Sequence, residues 1–146
     1  MNIVPLTNEE QIRTDCQYKV IIKYTDFTNA TPATAQTINL FSAPLGSVYT
    51  KVLTHIITPF VGGTISSYGI SIGFTGGGNV AALNPSNSVF GAVTGFGYAS
   101  VLAAQTNAAA LFITATATPG TAALSAATAG EVHFYIQGVT LPLYNV

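Results

Sequence analysis

The sequence predicts an all-β protein, a single jelly-roll-like antiparallel β-sandwich with an extended N-terminal arm. Three observations lead there. Apolar residues recur with period two in one segment after another, as half-buried strands require. Gly, Pro and Asn clusters separate those segments at short intervals. Helical periodicity is almost absent, and 146 residues make one ordinary domain. Six clear strands and two weaker ones suit a jelly roll or a related Greek-key sandwich. No fixed-period repeat points to a solenoid or propeller.

Residues 1–17 read as the arm and residues 18–146 as the sandwich domain. The arm carries Glu9, Glu10, Arg13 and Asp15. Thr7-Asn8-Glu9-Glu10 fits a capping box, in which a hydroxyl and a carboxylate each satisfy an exposed backbone N–H, so a helical turn over Asn8–Arg13 is expected. The arm has too few apolar residues for a core and is expected to reach onto a neighbour.

The first strand is Tyr18–Tyr24, with Val20 and Ile22 on one face and Lys19 and Lys23 on the other. The turn-rich stretch 26–32 follows, then a short strand Gln36–Phe41. Ser47–Phe60 is the longest candidate. Val52 and Ile56 alternate with Leu53 and Ile57, so both faces carry apolar groups, which predicts a strand bent over a core or covered on both sides. Ser66–Phe74 alternates Tyr68, Ile70 and Ile72 with Ser67, Gly69 and Ser71, leaving one small side. Residues 75–100 are the least regular. Val80–Leu83 and Val89–Val93 read as weak strands there, while Asn84-Pro85-Ser86-Asn87 and Gly91–Gly97 read as loops. Ala99–Ala104 fits a helical turn or a strand. Ala109–Thr118 and Gly130–Gln137 are the last strands, and Leu141–Tyr144 closes the chain.

Charge is the unusual property. Charged residues make up 6%, with four basic and five acidic side chains and a formal net charge of −1; about 25% is ordinary. Residues 52–130 hold no Asp, Glu, Lys or Arg. Arg13, Lys19, Lys23 and Lys51 form no run, which argues against nucleic acid as a partner. Mean hydropathy is +0.47, yet polar residues, Gly and Pro interrupt every apolar run before a membrane-spanning length, so no membrane association is expected. Disorder is excluded by 49% hydrophobic and 10% aromatic residues. The start MNIVPLTNEEQ lacks the basic and apolar regions of a signal peptide, which predicts synthesis in a cytoplasm. A surface this poor in charge is weakly protected against association, so association is read as its normal state.

No catalytic chemistry converges in the sequence. His55 and His133 have no ligand spacing and read as surface or structural residues. Asp26 and Glu131 would serve a glycosidase only if they met across a groove. Cys16, the one cysteine, excludes an internal disulfide. No G-x-S-x-G occurs, Gly76-Gly77-Gly78 lacks the Lys of a phosphate loop, and Asn29-Ala30-Thr31 is a chance glycosylation match without a leader. No catalytic, cofactor-binding or metal-binding residue is assigned.

The strand and turn pattern resembles small β-sandwich virion proteins of tailed bacteriophages, of the capsid decoration (cement) or head-fibre type. The residues that carry it are Tyr18–Asp26, Thr37–Phe41 with Pro44 and Gly46, Val48–Phe60 with Gly62-Gly63, Ile70–Gly73, and Ala129–Ile136. The resemblance implies a non-enzymatic structural role. One departure is the loop Thr75–Asn79, which has no acidic residue where the family pattern often has an acidic loop. The expected function is decoration of a phage capsid exterior through neutral strand and arm contacts. The major capsid protein and further copies of the chain, as a trimer, are its expected partners. The alternative is a receptor- or carbohydrate-binding module of a tail or fibre, acting through Tyr and Asn in the 75–100 region.

Overall fold

The computed structural model describes residues 2–75, 81–91, 95–106 and 111–140, with the backbone alone over 95–106 and at 140. The strands are β1 (Asn2–Val4), β2 (Tyr18–Lys23), β3 (Gln36–Ala43), β4 (Ser47–Val61), β5 (Tyr68–Phe74), β6 (Asn84–Ser88), β7 (Gly95–Thr106), β8 (Leu111–Pro119) and β9 (Ala129–Thr140). One helix, α1 (Asn8–Thr14), lies between β1 and β2.

One sheet has the order β1-β2-β9-β4-β7 and the other β3-β8-β5-β6, with all pairings antiparallel. From β2 to β9, every connection except β5–β6 crosses from one sheet to the other. This is the jelly-roll arrangement that the strand count predicts.

Strand alternation fills the space between the sheets. Val20, Ile22, Val52, Phe134 and Ile136 come from one side, and Ile70, Ile72, Ile113, Ala115 and Ala117 from the other, all buried in one cluster. Aromatic rings tie the sheets at both ends. Tyr18 stacks on Phe41 at 4.6 Å, and Tyr49 meets Phe74 edge-on at 5.9 Å. Phe60 lies 4.8 Å from Tyr68.

Two local expectations change. The strand in the irregular region is Asn84–Ser88, where Asn-Pro-Ser-Asn reads as a loop, and not the flanking apolar pairs. Pro85 fits because β6 is an edge strand, where a missing N–H breaks no ladder. Leu83 and Val89 flank it as buried plugs, each donating its N–H to β5, at 3.1 Å to the Ile72 carbonyl and 2.9 Å to the Tyr68 carbonyl. Likewise β7 begins at Gly95, inside the stretch expected to be loop, and takes in Ala99–Ala104 as strand. Residue 80, residues 92–93 and the closing segment 141–144 lie outside the described residues.

The capping box forms as expected. Thr7 Oγ1 accepts from the Glu10 N–H at 3.2 Å, and the Glu10 carboxylate accepts from the Thr7 N–H at 3.0 Å. Asp15 ends the helix in the left-handed region, at φ 53°. The segment read as an arm lies along its own domain in this structure. β1 pairs with the edge of β2, from Asn2 opposite Ile21 to Val4 opposite Lys19. Leu6 and Cys16, too sparse to register as core in the sequence, bury with Tyr135 in a small second cluster against Leu53. That contact gives β4 its apolar cover on the outer side.

Candidate functional site: two unlike sheet faces

The site residues follow from the register. On the outer face of the five-stranded sheet, Lys19 of β2 stands opposite Tyr135 of β9, and Tyr135 opposite Leu53 of β4. Glu10 reaches this face from α1. Its carboxylate accepts from the Lys19 ammonium and, at 3.2 Å, from the Tyr135 hydroxyl. The Lys19 hydrogen bond, the Thr7 N–H and the nearby positive charge hold the Glu10 carboxyl down at about 2. Further polar contacts fasten the segment. The Lys51 ammonium donates to the Thr14 carbonyl. Gln137 donates to Asp15 at 2.8 Å, and the Gly138 N–H donates to Gln17 at 2.9 Å. A cleft of about 520 Å³ remains between α1 and the sheet, lined by Glu9, Glu10, Arg13, Leu53, His55 and Tyr135 among others.

His55 and His133, unrelated in the sequence, stand directly opposite each other on β4 and β9, with ring centroids 6.2 Å apart. Burial, with His133 and Lys19 nearby, lowers the His55 pKa. His133 Nε2 lies 2.8 Å from Glu131 Oε1, and the Lys23 ammonium lies 3.7 Å from the other oxygen of that carboxylate. The His133 hydrogen bond is the main cause of a lowered Glu131 pKa. Among the described residues, no group of three or more His, Cys, Asp or Glu could hold a metal ion.

The other candidates are engaged locally. Asp26 accepts from the Lys23 N–H at 2.7 Å and closes the 3-10 turn after β2. Asn29 accepts from the Thr31 N–H at 2.9 Å, an Asx turn inside the sequon. The Cys16 thiol is buried, which raises its pKa, and donates to the Thr14 carbonyl. Gly76-Gly77-Gly78 lies outside the described residues, as do residues 92–94 and the side chains of Phe96 and Tyr98. The proposed glycan contacts of the 75–100 region therefore fall largely there. No helix among the described residues is long and apolar enough to cross a membrane.

The opposite sheet differs in kind. The nine charged residues lie on α1 (Glu9, Glu10, Arg13), at its end (Asp15), on β2 (Lys19, Lys23), on the turn after it (Asp26), on β4 (Lys51) and on β9 (Glu131). Strands β3, β5, β6 and β8 carry no Asp, Glu, Lys, Arg or His. Their outer rows are small and neutral. Thr37, Thr116 and Ser71 align across three strands, as do Asn39, Thr114 and Gly73. The Thr37 and Thr116 hydroxyls bond to each other at 2.8 Å. A shallow depression of about 300 Å³ is lined by hydroxyls from Ser67, Ser86, Ser88 and Thr118. Gly69 lies on its floor, where a Cβ would stand 2.3 Å from Ser86 Oγ and would turn that hydroxyl aside. Among the described residues, Phe112, opposite Ser42, is a large exposed apolar residue on this face, at 46%.

No protein-family model and no curated protein matches the chain. One matching solved structure is described as the acidic stable capsid structure of Helicobacter pylori bacteriophage KHP30, with a TM-score of 0.46 and 13% identity over 84% of this chain and 94% of that one. At that level the likeness assigns no function.

Proposed function

We propose that this chain is a structural virion protein of a bacteriophage. It decorates or cements the capsid exterior after synthesis in the host cytoplasm, and it has no catalytic role. Its partners are the major capsid protein and further copies of itself. Trimers at local threefold positions are the expected unit, because such positions offer three equivalent docking sites. The observation that carries the reading is the sheet without a single charged side chain. Burying an unpaired charge costs several kcal/mol, so a charge-free surface lowers the cost of close packing. Many identical weak contacts on one shell then add through avidity.

The test is co-sedimentation of the purified protein with particles of its phage prepared without it. Binding at fixed stoichiometry that survives about 1 M NaCl is expected, because screening acts on charges this contact lacks. Failure to bind, or release by salt, overturns the reading.

A further inference from the structure

We propose that His55 and His133 form a binding site for a divalent transition-metal ion of the zinc type. One imidazole from β4 and one from β9 hold the ion, and water completes its shell. The site goes beyond the virion reading and does not rest on it.

The chain contains two histidines, and the fold brings them together. They stand directly opposite each other in the β4–β9 ladder. Residues so placed hold their Cβ atoms about 4.5–5.5 Å apart on one face of the sheet. The two ring centroids are 6.2 Å apart, with the planes at 82°. Two imidazoles that share one zinc ion through nitrogens at about 2.0–2.1 Å place their centroids about 5 Å apart. Rotation about the broad χ2 torsions of the two rings supplies the remaining distance of about 1 Å.

Glu131 provides the support such a ligand needs. A metal-bound imidazole donates its other ring N–H to a carboxylate or carbonyl, which fixes the tautomer and the ring orientation. His133 Nε2 lies 2.8 Å from Glu131 Oε1. An ionised carboxylate only accepts, so Nε2 carries the proton and Nδ1 of the neutral ring keeps its lone pair. The nearby cations are each matched by a carboxylate. Lys23 lies 3.7 Å from the other oxygen of Glu131, Lys19 donates to Glu10, and Arg13 pairs with Glu9 at 2.7 Å. His55 also lines the cleft of about 520 Å³ beside α1, which gives an ion and its waters a way in.

The ligand set selects the ion. Imidazole suits zinc, copper and nickel. Calcium and magnesium ask for a shell of oxygens, which this pair does not offer. Bound, the ion ties β4 to β9, neighbours inside the five-stranded sheet, by a link that a chelator removes.

The test titrates ZnCl2 into the full chain at neutral pH and follows the imidazole proton resonances. With two histidines in the chain, both rings are read directly. Both are expected to shift in one step at one ion per chain, and EDTA should restore them. CaCl2 and MgCl2 should move neither. By calorimetry, His55→Ala and His133→Ala should each weaken zinc binding by about tenfold or more, and Glu131→Gln by about tenfold. Cys16→Ser removes the other zinc-type ligand and should bind as wild type does. Thermal unfolding shows which variants fold, and the wild-type resonances decide the matter if one does not. A shift at one ring alone or at neither overturns the proposal. So does full-strength binding in either folded histidine variant, or its loss in Cys16→Ser.

Discussion

Asn84 Nδ2 donates to Thr54 Oγ1 at 3.3 Å across the interior, joining β6 of one sheet to β4 of the other. Both residues are buried, and Asn84 Oδ1 accepts in turn from Asn87 Nδ2 at 2.7 Å. Asn84→Ala leaves the Thr54 hydroxyl and the Asn87 amide without these partners. It is expected to cost about 1–3 kcal/mol. Urea unfolding should show a lower midpoint with an unchanged slope.

Acid should weaken the fold from the charged side. The Glu10 carboxyl stands at about 2 in the folded chain against an ordinary 4.5, so the unfolded chain takes up the proton first. Its contribution is complete above the ordinary value and is lost as pH falls through 2. Glu131 is shifted in the same direction by His133, and His55 is lowered from 6.5 mainly by burial. All three make stability fall with pH. Urea midpoints measured at about pH 7, 5 and 3 should decline in order. In Glu10→Gln the decline should be shallower, from a lower start.

Gly130 is irreplaceable for two reasons at once. Its φ is +151°, and a Cβ there would stand 2.5 Å from the Phe60 ring. Phe60 is fully buried against Tyr68 and cannot retreat. Gly130→Ala is expected to cost about 2–4 kcal/mol, read as a fall in the thermal midpoint. Gly63→Ala, with open space around it, serves as the control and should change little.

Cys16 reports on the N-terminal segment. Its thiol is 2% exposed and its pKa is raised by burial, so a thiol reagent should react slowly with the folded chain. Opening of the α1 segment exposes it without global unfolding. Glu10→Gln, which weakens the link to Lys19 and Tyr135, should speed labelling by about tenfold while the far-UV spectrum stays that of wild type. Equal rates in both proteins would mean that these contacts do not hold the segment.

Local features were readable and long-range ones were not. The Thr7–Glu10 capping box spans three residues, so composition and spacing revealed it. Strands such as Tyr18–Lys23 announced themselves because alternation is a property of neighbours. β6 was hidden, since Asn-Pro-Ser-Asn has turn chemistry and becomes strand only through pairing with β5. The His55–His133 contact depends on how β4 and β9 align across a long loop of chain, and spacing holds no record of that. The neutral face was half visible. Residues 52–130 are free of charge, but that stretch also includes most of β4 and all of β7, which belong to the other sheet. β3 lies before the stretch and still joins the neutral sheet. Only the folding order sorts these strands into a bare side and a charged side.

The repeated crossing of the chain between the sheets has a mechanical consequence. A sideways load on one sheet is carried to the other by covalent backbone at nearly every turn, as thread carries strain between two quilted cloths. The layers therefore slide or peel only by breaking strand ladders. A body stitched in this way can pass a load from one face to the other without its own two halves coming apart.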